Sequence, residues 1–195
     1  ASPRYTGPVE IGKSARFRAT ALREGGENAS YSREFAFSKS TGRPAVLNTK
    51  PNDSYTFEGA SLLVDGYHSR PVFTSGAWLG YLDEPLDVTI DMGGEQSYRS
   101  VELETLAEKG DWIFPPSSVT VWVSDNGTDF TEVASVAVPE AKAGDADGIG
   151  RYRMQFPETS ARYLKVVAQN AAAIPAWHPG AGSKGFLFVD EVVVE

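Results

Sequence analysis

Cysteine is absent from this chain, which excludes a disulfide framework, a thiolate metal site and a cysteine nucleophile together. Long apolar runs are absent as well. Nothing approaches the roughly 20 consecutive apolar residues a helix needs to cross a bilayer. Histidine is scarce, with two in 195 residues, and no His-Glu-x-x-His pair, Gly-x-Ser-x-Gly elbow or P-loop accompanies them. Basic residues are the minority, 18 against 26 acidic ones for a formal net charge of −8. The acids are scattered and no basic stripe is present, so a phosphate backbone is not an expected partner. Long amphipathic patterns are lacking; the one helix-like piece is Ala168 to Ala173, which Pro175 would terminate. No signal or transit segment opens the chain, and Ala1-Ser2-Pro3-Arg4-Tyr5 reads as the interior of a domain, as in a mature or excised piece of a longer protein.

What is present is a series of short alternating segments. Near the start, Val9 to Ile11, Ala15 to Leu22 and Tyr31 to Phe37 read as strands, the last two separated by Glu24-Gly25-Gly26-Glu27-Asn28. Ala15, Phe17, Ala19 and Ala21 share one face of the second of these, opposite Arg16, Arg18 and Thr20. Three strands with one apolar face do not bury a full core alone. Ser38-Lys39-Ser40-Thr41-Gly42-Arg43-Pro44 has the composition of a linker, which divides the chain into a β segment over 1–40 and a domain over 45–195. In the second part, strands are expected at Val88 to Asp91, Arg99 to Leu106, Val119 to Ser124, Phe130 to Val138, Arg151 to Phe156, Arg162 to Gln169 and Phe186 to Val194. An all-β antiparallel sandwich follows from that spacing.

The connections alternate between short and long. Met92 to Tyr98, Asp125 to Asp129 with its Asn126-Gly127 pair, and Pro157 to Ala161 are turn-like. Leu106 to Ser118, Pro139 to Gly150 and Asn170 to Gly185 are long. Consecutive antiparallel strands put alternate connections at alternate ends, so the three long loops share one end of the sandwich. The entering segment from Asp65 through Trp78 to Leu86 starts at that end too. Loops of this length inside a compact domain are usually functional or disordered, and the tryptophans here speak against disorder.

The candidate binding residues lie on these segments. Trp177 and His178, beside Pro175, Pro179 and glycines, read as a binding surface; Trp112, in Lys109-Gly110-Asp111-Trp112-Ile113-Phe114, fits a loop anchor and a ligand platform equally. Asp111, Lys109, Arg70 and His68 are hydrogen-bonding candidates, and Trp78 is a further aromatic that suits packing as well as a ligand face. Trp122, between Val121 and Val123 in a strand, reads as structural. Asp145-Ala146-Asp147-Gly148 lacks the ligand series of a calcium loop and reads as a solvated turn. Asp65 and Glu191 are better cation candidates, because a carboxylate inside the apolar strand Val189-Asp190-Glu191-Val192 is costly unless paired or metal-bound.

The order Leu63-Val64-Asp65-Gly66, Trp78, Val88-Thr89-Ile90-Asp91-Met92-Gly93, Val119 to Gly127, Ala161 to Val166 and Val189-Asp190-Glu191-Val192 resembles the discoidin domain, the coagulation-factor type C fold that includes galactose- and hexosamine-binding modules. Glu108 to Phe114, Pro175-Ala176-Trp177-His178 and Gly185 to Glu191 are similar to the C-terminal modules of bacterial family-20 β-N-acetylhexosaminidases (chitobiases), and Tyr5 to Ile11 resembles the fibronectin-III-like domain of such enzymes. The resemblance implies a jelly-roll β-sandwich preceded by the tail of a fibronectin-III-like domain. It implies glycan-binding loops at one end and a secreted, periplasmic or cell-surface parent whose catalytic domain is a partner. It also implies a structural calcium held by Asp65 and Glu191, although the stretch Tyr67 to Gly76 is longer than the family's compact turn. The expected function is then a noncatalytic carbohydrate-binding module for terminal galactose, N-acetylgalactosamine or N-acetylglucosamine. Its rivals are a brace for the catalytic domain and a small paired-carboxylate hydrolase.

Overall fold

The structure, a computed structural model, describes residues 3–23, 25–26 and 28–195. Glu24 and Glu27 of the expected turn, and Ala1 and Ser2, lie outside the described residues. The strands are β1 (Ala15–Ala21), β2 (Ala29–Phe35), β3 (Ala45–Leu47), β4 (Leu79–Tyr81), β5 (Leu86–Ala107), β6 (Ser118–Ser124), β7 (Thr131–Ala137), β8 (Gly148–Gln169) and β9 (Leu187–Val194).

Two strands of 22 residues organise the sandwich. The sequence suggests four shorter strands there. Instead β5 pairs with β8 along its whole length, with register shifts between Asp91 and Gln96 and between Tyr98 and Ser100. Gly93, at φ 80°, with its N–H on Asp91 Oδ1, turns the chain at the first shift. The bends let each long strand serve both layers, a corner made by bulges. The first half of β5 carries β3, and the second half of β8 carries β6 and then β7; the second half of β5 carries β9 and then β4. The result is the expected jelly-roll sandwich.

Alternation supplies the core. Leu86, Val88, Ile90 and Met92 of β5, Val119 and Val121 of β6, and Leu164 and Val166 of β8 are buried against Val101, Leu103, Leu187, Val189, Val192 and Val194. The Asn126-Gly127 turn forms as expected, with Asn126 Oδ1 accepting the N–H groups of Thr128 and Asp129.

Several expectations are corrected. Val9 to Ile11 is not a strand, and the helix-like piece at 168–173 is the end of β8 followed by bends. Helical spacing over six residues is outweighed by the ladder that pairs Ala168 with Leu86 and Val119. The stretch 38–44 is not a free linker: Ser40 is buried with its hydroxyl on Val192 O, Lys39 N–H donates to Val194 O, and Gly42 N–H to Val64 O. The Ser38 and Ser40 hydroxyls and the Lys39 main chain satisfy β9 along Val192 to Val194.

Candidate functional site

The three long loops are fastened to one another at one end. After β5, a turn at Lys109–Asp111 leaves Trp112 at φ 64°, with its N–H on Lys109 O. A left-handed conformation at a tryptophan costs on the order of 1–3 kcal/mol, so the surroundings must hold it. Ile113 and Phe114, each 1% exposed, anchor the next two residues, and Phe114 N–H and Phe186 N–H exchange bonds with Phe186 O and Trp112 O.

The last loop folds on itself through His178. Gly180 N–H donates to His178 Nδ1 at 3.0 Å, which assigns the ring proton to Nε2, and Nε2 then donates to Lys109 O at 2.9 Å. Lys109 is buried; its Nζ donates to Asp145 O at 2.9 Å and to the Asp147 carboxylate. Trp177 Nε1 donates to Ala141 O at 2.9 Å, which ties the middle loop to the last one. His178 and Lys109 are thereby corrected from ligand-facing groups to scaffold, because their polar atoms are already used within the protein.

What remains in solvent is aromatic. Trp112 is 43% exposed and Trp177 39%, and both rings stand edge-on to His178, with centroids 6.1 and 5.5 Å away. Trp112 lies so close to the Gly180 backbone that a Cβ there would fall 2.8 Å from its ring, so only glycine permits the stacking. Asp111 is exposed beside Trp112. Burial pushes the Glu108 carboxyl up, and the Asp111 and Asp147 carboxylates push it further. The geometry offers two indole faces with an acidic rim, a surface suited to stacking a flat apolar face that carries polar edges.

The other predicted residues lie elsewhere. Trp78 is fully buried, packs with Leu106, Ile113 and Phe188, and donates from Nε1 to Arg70 O; it belongs to the core and not to a ligand surface, a correction that follows from its apolar neighbours. Arg70 is exposed. His68 is bonded through Nδ1 to Glu104 Oε2 at 2.9 Å, on the layer formed by β5, β8 and β9. Neither joins the tryptophan cluster through a hydrogen bond among the described residues.

His68 belongs to a carboxylate seam. On β9 the register passes from Val192 opposite Leu103 to Val189 opposite Thr105, so Asp190 and Glu191 both occupy the place facing Glu104. All three are buried. The segment after Asp65 supplies donors: Gly66 N–H reaches both Glu191 oxygens at 3.2 and 3.3 Å, Ser69 N–H reaches Asp190 Oδ2 at 2.7 Å, and Tyr67 N–H reaches Asp65 Oδ1 at 2.7 Å. Arg151 Nε adds a bond to Glu104 Oε2 at 2.9 Å. Burial lifts Asp190 to about 8; burial and the charges of Asp65 and Asp190 lift Glu191 to about 9; burial raises Asp65. The Glu104 hydrogen bond raises His68.

Buried Glu191 and half-buried Asp65 present hard oxygens that repel each other, and neither is in an ion pair among the described residues, which suits a calcium ion. No three acidic or imidazole side chains converge into a metal cage among the described residues, so main-chain carbonyls would have to complete the shell. Glu104, Asp190 and Ser69 were not anticipated from sequence. The signal was the adjacent acidic pair inside an apolar strand, which marks a bulge.

The F5/8 type C domain model matches residues 48–184, and the chain belongs to that family. Among solved structures, the chain is similar to chitosan-binding module 1 from a chitosanase/glucanase of Paenibacillus sp. IK-5, at 17% identity and a TM-score of 0.52 over 81% of this chain and 98% of that one. It is similar to module 2 of the same enzyme, solved with chitotriose, at 17% identity and 0.51 over 80% and 98%. A Clostridium perfringens CBM32 module solved with GalNAc-β-1,3-galactose matches at 16% identity and 0.51 over 77% and 93%. These likenesses show the fold. No curated protein sequence matches the chain. Among the described residues no helix is long and apolar enough to cross a membrane.

Proposed function

We propose that this chain is a noncatalytic carbohydrate-binding module whose ligand stacks on Trp112 and Trp177. The observation that carries this reading is the pair of indoles left about two fifths exposed on loops that Lys109, His178 and Trp177 Nε1 bond to one another. Membership of the type C family and the sugar-bound modules with the same fold support it. Sugars present C–H faces to an aromatic plane and hydroxyls to the rim, where Asp111 is the free acceptor. Such shallow sites bind weakly, with a dissociation constant nearer millimolar than nanomolar, about −4 to −6 kcal/mol.

The module would recognise galactose, N-acetylgalactosamine or N-acetylglucosamine termini and carry a secreted or surface-bound β-N-acetylhexosaminidase to its substrate. The hairpin β1–β2, which leaves Tyr31 exposed at its far end while Arg33 and Phe35 pack against Tyr67, would be the tail of a fibronectin-III-like sandwich. A calcium ion held by Asp65 and Glu191 would pin the 65–69 segment to β9, supplying charge neutralisation and no chemistry. A glycan array with those three termini tests the reading: binding lost in Trp177→Ala with the fold intact supports it. Silence across the array would shift the assignment to a structural brace.

A further inference from the structure

Away from the loop end, the layer formed by β5, β8 and β9 carries a groove of about 190 Å3, room for one pyranose ring. Alternation builds it. Val101 and Leu103 point into the core, so Ser100, Glu102 and Glu104 point outward, opposite Gln155, Arg153 and Arg151 of β8. Glu195 closes one side and His68 the other.

The lining interleaves donors and acceptors with capacity to spare. Arg151 uses Nε on Glu104, Arg153 uses one terminal nitrogen on Glu195 and Ser100, and His68 uses Nδ1 on Glu104. The remaining guanidinium nitrogens and His68 Nε2 have no protein partner among the described residues. Glu102 has only a 3.7 Å contact with Arg151. Beneath His68 and Arg151, Glu104 is 1% exposed, and its Oε1 is buried with no donor. An unmet carboxylate oxygen is costly, and a ligand hydroxyl is a donor of the kind it lacks.

We propose that this groove is a second saccharide subsite, taking a neutral pyranose of a longer glycan whose first unit sits on the tryptophans; it rests on the carbohydrate-binding reading above. Two arginines alternate with three glutamates here, so a charged ligand meets a like charge beside each opposite one. A hydroxyl both donates and accepts, and vicinal hydroxyls bridge an arginine on one strand and a carboxylate on the next across the roughly 4.8 Å strand spacing. Glu104 lies four residues before Glu108, the first residue past β5 and the start of the Trp112 loop, about 14 Å at roughly 3.4 Å per residue. An oligosaccharide can therefore reach from one site toward the other. With no aromatic plane, the groove is weak alone and acts through linkage.

The test is an NMR titration of the backbone amides with galactose, N-acetylgalactosamine, N-acetylglucosamine and a β-1,4-linked hexamer of N-acetylglucosamine. The hexamer should move Ser100, Glu102, Arg151 and Arg153 besides the loops, and should bind at least about tenfold more tightly than the monomer. Arg153→Ala, at a half-exposed position, should remove about tenfold of that gain while leaving the monomer's shifts around Trp177 unchanged. Hexamer shifts confined to 108–114 and 175–182 would overturn the groove and leave the platform standing. Shifts in the groove alone would remove the platform and overturn the groove's role as a second, linked subsite, and no shift with any sugar would overturn both.

Discussion

At the loop end, Trp112 and Trp177 keep wide faces in solvent while Lys109 and His178 behind them are buried and fully bonded. At the seam between the 65–69 segment and β9 the arrangement is inverted: Glu104, Asp190 and Glu191 are buried, and the polar groups that meet them are main-chain N–H groups and two partly exposed side chains. The first region leaves apolar surface unused by the fold. The second uses charged surface that the fold would have been expected to leave outside. An apolar face exposed on a rigid, internally satisfied support is built for a ligand, whereas a charge buried under main-chain donors fastens one segment to another.

The largest test of that division compares two tryptophans. Trp78→Ala should cost about 3–5 kcal/mol by emptying the core, read as a melting-temperature fall of roughly 10 °C or more. Trp177→Ala should cost less than about 1 kcal/mol and abolish glycan retention; equal losses of stability would erase the distinction. Next in size is the seam's cation. If Asp65 and Glu191 hold calcium, a chelator should lower the melting temperature by an amount equivalent to about 2–3 kcal/mol for an ion present at 100 times its dissociation constant. An unchanged melt would remove the metal and leave the main-chain donors with His68 and Arg151 as the fastening.

Gly180→Ala sharpens the comparison from the loop side. Its Cβ would displace the Trp112 ring, which can swing into solvent, so stability should fall by under about 1 kcal/mol while glycan affinity drops about tenfold. Unaltered affinity would show that Trp112 is an anchor only. The smallest effect concerns pH. Glu104 raises His68, so the bond's stabilisation is complete below the unfolded histidine value of about 6.5 and is lost as pH rises through the raised folded value. Arg151 and Asp190 face the same pair. The raised Asp190 and Glu191 carboxyls also lose stability as they ionise, so melts across that range should decline and His68→Gln should make the decline shallower; an identical slope in the variant would take His68 out of the seam.

Much of the sandwich is legible in the sequence, because Val88, Ile90, Val119, Val121 and Val166 alternate with polar residues and Asn126-Gly127 marks its turn. The loop convergence is legible from strand parity alone. Side-chain roles inside the loops are not. His178 and Trp177 are neighbours in sequence, but which of them faces solvent depends on Lys109 O and Ala141 O, brought there from 69 and 36 residues away. Trp78 resembles a loop residue by its glycine-rich flanks, and its burial is decided by Leu106 and Phe188 on other strands. The unity of β5 is hidden because Gly93 and Gly94 look like a turn, and it shows only in the pairing with β8, which stops at Asp91 and resumes at Gln96.

The most direct test of the central claim is calorimetric titration of the wild-type chain, Trp112→Ala and Trp177→Ala with the best ligand from the glycan array, each protein first shown to melt within a few degrees of the others. Binding near millimolar in the wild type that disappears in both variants is the predicted result. Undiminished binding in both would contradict the platform and move the site elsewhere on the sandwich.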